Sequence, residues 1–560
     1  MQRYIVGGYC RDKLLGLKPH DKDFVVVGAT EEELKKHGYK KVGGKFSFPV
    51  FLDPDSNQVA MARREKKTGD GHTGFQFEFT PDVSLEEDLK RRDFTVNTLV
   101  MDENEKIVKT SFTDQALEDL KSKTLRMVSR KHFAEDPLRA LRAIRFVSMC
   151  GFKFDPKTEK ECRKIFTTED YARLPIERKI GEIERCFNAN CGAKCVELMH
   201  QMGALEDFDF ALDEMLEVKE LPENHPEGTT GGHVLSCLKF LDAYFSLFPH
   251  KKQAAVYWAV LYHDIGKVFT NEDTGHFYTH DVAGSKYIKT YQCFQIKNTE
   301  TRSLIEVVAE QHMRFSRWNQ MKPGKRVDLV STELRGHILG FIIACVADWY
   351  GRSDITLDEI KLGFIRKMIC YLAYQMMFIQ DIVKGTKFQS NEECNRIKPE
   401  KRSAILRDKA ISNYVGLTKS GYYSESLTKD LLDAKLRFLQ RVGALGTGSV
   451  RTMQDYCGWL NEITRNMGYL FNYWNETVDG KGLNKYDFFD SDDLEKSIPG
   501  TIAKSIAAVA PLFMGPAGTV YSAAFIGREM AKSLPMLYGM VTAFSDSETP
   551  SWINTIAAKA

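Results

Sequence analysis

Every clear strand signal in this chain falls in its first 130 or so residues. YIVGG, DFVVVG, FPVFLD, GFQFEF and TLVMD are short apolar or alternating runs broken by Gly, Pro and Asp. From Glu135 onward the apolar residues recur at helical spacing, beginning with EDPLRALRAIRFVSMCGF, in which Pro137 suits a first helical position and Gly151 a stop. This division predicts an α+β chain: a head with a small mixed sheet, then all-α neck and body helices, a further helical domain and a mostly α C-terminal extension. At about 100 to 200 residues per domain the length allows roughly three or four. The changes of pattern place them at 1–130, 131–215, 216–355 and 356–560. Residues 216–232 are Pro/Gly-rich and read as a joint, and Thr356 with Glu359 forms a capping-box pattern opening a long helix that ends near Gly385. Residues 386–560 show no repeat and no chemical motif.

Lys+Arg 78 against Asp+Glu 76 leaves a net charge of +2, so a nucleic-acid partner would be held by local patches and not by the field of the whole protein. A hydrophobic content of 43% excludes disorder for most of the chain. MQRYIVGGYCRD has no basic stretch leading into an apolar run, which predicts an intracellular, cytoplasmic chain. The 12 cysteines form no disulfide-like framework, and Cys186, Cys191 and Cys195 are expected as free thiols on a helical stretch. Ser505 to Gly527 carries no charge and is long enough to span a bilayer, but Pro511, Gly515, Pro516 and Gly518 interrupt it. Two short packed helices are therefore favoured over membrane contact by this tail.

The densest chemistry runs from IVGGYCRDKLLG to DKDF. A strand that breaks at Gly7-Gly8 into a helix bearing Arg11 offers bare backbone N–H groups and a cation to a triphosphate, and a side chain at Gly8 would keep the phosphates away. Alternation puts Asp21 and Asp23 on one face while Lys22 points away, bringing together two hard oxygen ligands as paired divalent ions require. In LEEDLKRRDFTVNTLVMD, Arg92 and Asp93 precede a strand-like run and place a cation and an acceptor near the triphosphate and sugar. Glu78 in GFQFEF is considered as a third metal carboxylate and set behind these two. Farther on, Arg139, Arg142 and Arg145 share one helix face, with Leu141, Ile144 and Val147 roughly opposite. Three arginines with no interleaved acid would repel one another unless something anionic lay against them, so Arg139, Arg142 and Arg145 are expected to face the bound nucleotide.

GG, R, DxD and RRDFTxN in this order resemble the class II tRNA nucleotidyltransferase (CCA-adding) and bacterial poly(A) polymerase superfamily. The resemblance implies a polymerase-β-like catalytic head with Mg2+ on Asp21 and Asp23, and CTP, ATP and the tRNA 3′ end as partners. MARREKKTGDGHTGFQFEFTPDVSLEEDLKRRD looks like the family's flexible loop, and EDPLRALRAIRF like its template helix, which brings the bacterial CCA-adding enzymes nearest. By the same resemblance Asp136 and Arg139 would pair with the Watson–Crick edge of the incoming base, a carboxylate accepting and a guanidinium donating. LPIERKIGEIERCF, with Glu177, Arg178 and Glu184, looks like the last motif, expected to buttress the template helix through ion pairs. Thr98 stands where the family usually has alanine, and a packing adjustment is expected. Lys121, Lys123, Arg126, Arg130 and Lys131 read either as a hold on the tRNA backbone or as an ordinary solvated run.

A second constellation follows the joint residue His225: GGHV (His233), YHDIGK (His263, Asp264, Lys267), YTHDVAGSKY (His280, Asp281), AEQHMRF (His312) and ADWYGR (Asp348). These ligand types lie scattered along helices, so only a folded bundle would assemble them. The order H, HD, D resembles the HD superfamily of metal-dependent phosphohydrolases. It implies a divalent metal, Ni2+ or Mg2+, on His233, His263, Asp264 and Asp348, with His280 and His312 for a second metal or the phosphate, and 2′,3′-cyclic phosphodiesterase, phosphatase and 2′-nucleotidase activity. The resemblance spans roughly the first 355 residues. Two alternatives stay open: a poly(A) polymerase or partial CC- or A-adding enzyme with the same head, and a membrane-associated or structural protein that carries the enzyme region.

Overall fold

A computed structural model describes residues 1–419 apart from 18, 20–21, 43–48, 68–74, 224, 249–251, 271–276, 292–295 and most positions from 353 to 381. Asp21, the Thr356–Glu359 cap and the Ser505–Gly527 stretch lie outside the described residues. The chain is α+β, and it divides into two compact units at Glu217–Val218.

The first unit opens with β1 (Gln2–Val6), α1 (Gly8–Leu14), β2 (Asp23–Val27), α2 (Glu31–Lys36), β3 (Lys40–Val42), β4 (Val50–Leu52), β5 (Gln58–Met61), β6 (Arg64–Lys67), β7 (Phe75–Glu78), α3 (Leu85–Lys90) and β8 (Val100–Met101). Six strands form one sheet in the order β3-β4-β5-β2-β1-β8, and β6 and β7 form a separate ribbon. β2 is central because Phe24, Val25 and Val26 are all buried, which suits a strand covered on both faces. It runs parallel to β5 and antiparallel to β1, with Val6 opposite Asp23. That register sets the Gly7-Gly8 turn beside the first residue of β2. Val6, Val25, Ala62, Val83, Leu89 and Val100 form the core beneath.

The helical part of this unit comprises α4 (Thr113–Lys121), α5 (Arg130–Glu135), α6 (Leu138–Cys150), α7 (Pro156–Phe166), α8 (Glu169–Ala172), α9 (Ile176–Asn188), α10 (Gly192–Met202), α11 (Leu205–Phe208) and α12 (Phe210–Glu217). α6 follows Pro137 and stops at Gly151, whose φ of 65° is left-handed, as the spacing predicts. β3 and β6 carry no apolar run of the kind that marked the other strands, and the short Val-Ala-Met run of β5 was passed over. The strand-like reading after Arg92-Asp93 needs correcting: Thr95–Asn97 is a 3-10 turn, and only Val100–Met101 pairs with β1. Side chains capture the local backbone there: Asp93 accepts from Phe94 N at 2.8 Å and the Thr98 hydroxyl donates to Thr95 O at 2.7 Å, which favours a turn over a ladder. Cys186 lies in α9 and Cys195 in α10, and Cys191 precedes α10 with its thiol donating to Cys186 O at 3.2 Å.

The second unit is built from α13 (Thr230–Tyr244), α14 (Gln253–Tyr262), α15 (His280–Thr290), α16 (Thr299–Phe315), α17 (Pro323–Asp328) and α18 (Ile338–Tyr350), with further helices at Asn391–Arg396 and Pro399–Lys419. α14 and α18 are apolar almost all round and form its centre, packed on α13 and α16. Among the described residues no single helix is long and apolar enough to cross a membrane. One pair bent by 112°, Pro323–Glu333 with Ile338–Tyr350, passes by length and composition alone, and the second member is a buried core helix.

Two glycines set the close approaches. A Cβ at Gly266, in the 3-10 turn Ile265–Phe269, would stand 1.8 Å from His280 O, and one at Gly351 would stand 2.4 Å from Cys237 Cα. Backbone contact at these points brings α15 against the turn after α14, and the end of α18 against α13. Gly266→Ala is expected to cost about 1–3 kcal/mol or more through overpacking, read as an earlier unfolding transition in urea by the fluorescence of the buried Trp258 and Trp318.

Candidate active sites

In the first unit the β1–β2 register places Asp23 next to the Gly7-Gly8 turn, and two guanidiniums close over that turn. A Cβ at Gly7, where φ is 76°, would lie 3.4 Å from an Arg92 terminal nitrogen, and one at Gly8 3.6 Å from one of Arg11. Glycine is needed at Gly7 for the left-handed backbone as well as for space. Arg11 donates to Asn97 Oδ1 at 2.8 Å and to Asp12 at 2.8 Å, and Arg92 donates to Asn97 O at 3.0 Å. Asn97 is therefore where the GG motif and the RRD motif meet. Its amide also donates to Asp93 Oδ1 at 2.9 Å.

The network continues into α6. Asp93 Oδ2 accepts from Arg142 at 2.9 and 2.7 Å. Burial works against this carboxylate's charge, yet Arg142, the Asn97 hydrogen bond and Arg139 hold its pKa well below the usual range. Arg145 donates to Glu182 of α9 at 2.5 Å, and Arg142 lies 3.9 Å from the same carboxylate. The anions that the arginine face of α6 requires are thus the chain's own, and the repulsion read from sequence needs no nucleotide to relieve it. Asp136 caps the junction of α5 and α6, accepting from Leu138 N at 3.2 Å and from Arg178 at 3.1 Å, while Arg139 donates to His132 O at 2.5 Å. Arg178 belongs to the stretch expected to buttress this helix.

Other expected residues are spent locally. Glu78 pairs with Arg64 at 3.0 Å in the β6–β7 ribbon, apart from the sheet that carries Asp23. Arg126 is bonded to Asp119 and Asp155, and Arg130 to Glu161 at 2.6 Å, so these two members of the basic run serve internal ion pairs.

In the second unit, α13, the end of α14, α15, α16 and α18 converge on one polar cluster. His233 Nε2 lies 3.0 Å from Asp348 Oδ1, and His263 Nε2 lies 3.7 Å from the same oxygen and 3.3 Å from Asp264 Oδ2. The other Asp264 oxygen faces His280 Nε2 at 3.3 Å and His312 Nε2 at 3.5 Å. His233, His263 and Asp348 make one candidate metal group and Asp264, His280 and His312 a second, with Asp264 between them. All four residues expected from the HD pattern come together, and His280 and His312 join them.

The donor set fits a divalent metal. His263 Nδ1 donates to Val260 O at 2.7 Å, His280 Nδ1 to Phe277 O at 2.8 Å and His312 Nδ1 to Val308 O at 3.1 Å, fixing the tautomers that aim Nε2 inward. His263 Nε2 is buried with no hydrogen-bond partner, an orphan that a metal would satisfy. Although burial opposes it, the charges of Asp264 and Asp348 push the His263 imidazole up to about 9. The same pull would hold a cation. Lys267, itself buried, bonds Asp264 at 2.8 Å and Glu220 at 2.6 Å.

Residues 3–126 match the family of the poly A polymerase head domain, and residues 230–351 that of the HD domain. The multifunctional CCA protein of Actinobacillus pleuropneumoniae is 34% identical over 385 residues, 67% of this chain and 92% of that protein. The chain belongs to the multifunctional CCA protein family. Its Pseudomonas aeruginosa relative of the same name is 36% identical over 338 residues, 59% of this chain and 79% of that one. Among solved structures, the Bacillus stearothermophilus CCA-adding enzyme in complex with CTP aligns over 73% of this chain and 89% of that one, at 20% identity and a TM-score of 0.47.

Within this member of the multifunctional CCA family, several residues that hold the sites were given no role in the sequence reading. Glu182 and Glu220 are buried acceptors whose partners Arg145 and Lys267 lie far along the chain, and Asn97 entered only as the last residue of RRDFTxN. Phe146 gathers Arg145 at 4.5 Å, Arg11 at 4.9 Å and Arg142 at 5.9 Å from its ring, and its place on the arginine-rich helix was the one available hint. Glu105, held at a φ of 61°, accepts from Lys22 at 2.6 Å and Tyr9 at 2.7 Å and pairs with Lys13, steadying both α1 and the approach to Asp23.

Arg142→Ala would leave the Asp93 carboxylate buried against fewer partners, at a cost of about 3–5 kcal/mol. Because the native pKa is depressed, Asp93 contributes fully above the ordinary carboxylate value near pH 4, and the contribution drains away as pH falls toward the native value. Urea unfolding should therefore show the largest difference between wild type and variant at neutral pH, and a shrinking one below about pH 4.

Proposed function

We propose that the chain extends the 3′ end of tRNA with C, C and A from CTP and ATP, releasing pyrophosphate, and that its HD cluster hydrolyses phosphoesters as a 2′,3′-cyclic phosphodiesterase, phosphatase and 2′-nucleotidase. The observation that carries the first part is the unbroken hydrogen-bonded path Arg11–Asn97–Asp93–Arg142, which couples the phosphate-binding turn to the base-reading helix. Arg11, Arg92 and the Gly7-Gly8 backbone take the triphosphate, and Asp136 and Arg139 read the base. Arg142 and Arg145 hold that helix in place through Asp93 and Glu182. Mg2+ on Asp21 and Asp23 would stabilise the entering and leaving oxygens as the tRNA 3′-hydroxyl displaces pyrophosphate in line at the α-phosphate. At the HD cluster the imidazole-rich donor set favours a transition metal such as Ni2+ over Mg2+, and a bound metal would activate water and polarise a phosphoryl oxygen. The reading keeps head, neck and body, HD domain and extension at 1–130, 131–215, 216–355 and 356–560, and places the enzyme in the cytoplasm with its tRNA and nucleotide substrates.

The test is incorporation of labelled CTP and ATP, singly and together, into tRNA ending at the discriminator base, with products resolved at single-nucleotide length. Two C then one A supports the reading, a long A ladder means a poly(A) polymerase, and no addition by a folded chain overturns it. Asp23→Ala should lower addition by at least about 100-fold while sparing phosphodiesterase activity, and Asp264→Ala should do the reverse, since a ligand counts for no less than the roughly 10–100-fold of its outer-shell partners. Arg139→Ala is expected to blur the choice between CTP and ATP more than it weakens triphosphate binding, and an unchanged preference would remove it from base reading.

A further inference from the structure

The Pro/Gly-rich segment before α13 is a built loop. Lys219 bridges Thr229, Glu220 N donates to Gly228 O at 3.1 Å, His225 N to Leu221 O at 3.0 Å, and Gly228 N to His225 O at 3.0 Å. The loop lies against the first turn of α13 because position 232 has no side chain: a Cβ there would stand 2.8 Å from Glu227 Cβ. Its base is fixed to the HD centre. Glu220 accepts from Thr230 Oγ1 at 2.6 Å and from Lys267 at 2.6 Å, and Lys267 in turn holds Asp264.

This construction carries His225 to His233, ring centroid to ring centroid 4.6 Å. The ligand atoms of His225, Glu227 and His233 lie within 4.8 Å of one another, a group separate from the two already described and sharing His233 with one of them. His225 Nδ1 is a buried ring nitrogen with no hydrogen-bond partner. Two imidazoles and a carboxylate suit a divalent transition metal, and the carboxylate argues against a phosphate.

We propose that His225, Glu227 and the shared His233 form a further divalent-metal subsite beside the HD centre, contributed by residues 225–229 before α13. The inference stands apart from the hydrolytic reading, since it concerns metal binding alone. Full-length chain is stripped with a chelator, titrated with Zn2+, dialysed and assayed for bound metal per chain by mass spectrometry, with circular dichroism melting to confirm the fold. His225→Ala and Glu227→Gln are each expected to lower the Zn2+ load by one equivalent, while Asp264→Asn lowers a different part of it. Equal load and unmoved titration midpoints in both loop variants would overturn the subsite and leave the HD centre standing. A wild-type chain that takes up no Zn2+ would overturn both. Should His225→Ala fail to fold, Glu227→Gln, which keeps the side chain's shape, decides the matter in either direction.

Discussion

A carboxylate taken out of water must be matched, and in the first unit the whole arrangement follows from how Asp93 is matched. It sits buried at the start of a 3-10 turn, bonded to Phe94 N, Asn97 and Arg142. Each partner belongs to a different part of the machinery. Asn97 reaches Arg11 beside the glycine turn, and Arg142 is a residue of α6, whose Arg145 pairs with Glu182 of α9. Breaking a buried pair of this kind costs about 3–5 kcal/mol, a large share of the roughly 5–15 kcal/mol that holds a domain folded. The geometry that sets α6 at a fixed place relative to the Gly7-Gly8 turn is therefore also what keeps the unit together.

How far the sequence could be read depends on whether a residue's role is local. Gly7-Gly8, Asp23, Pro137 and Gly151 announce themselves because a turn, a strand end and a helix boundary are decided within a few residues. The HD pattern was legible for a different reason, since the order H, HD, D resembles a known superfamily although its members are assembled only by the folded bundle. Arg142 and Arg145 show the limit: their face of α6 was visible, but its anions come from Asp93 and Glu182, 49 and 37 residues away. Glu182 lay inside a stretch recognised only as a buttress, and Asn97 inside a run read as strand-like. Strand β3 was missed because KKV holds a single apolar residue, whereas β5 carries a Val-Ala-Met run that the sequence reading passed over. The loop before α13 was taken for a joint on its Pro and Gly content, yet those residues shape a turn that presents His225 and Glu227.

The two units treat buried charge in opposite ways, and this separates their chemistries. In the first, Arg142 and Arg145 set against Asp93 and Glu182 leave the interior balanced. The exposed Asp23 stands apart from this matched interior, at the start of β2. In the second, Lys267 is bonded to Glu220 and Asp264, while Asp348 faces His233 and His263, so carboxylate remains in excess around the histidines. The excess draws a proton onto His263 against the penalty of its burial. A divalent metal satisfies the same excess with ligand atoms already turned inward by backbone carbonyls. The helical unit is thus arranged to hold a divalent metal as part of its interior, whereas the buried charges of the head are already matched to one another.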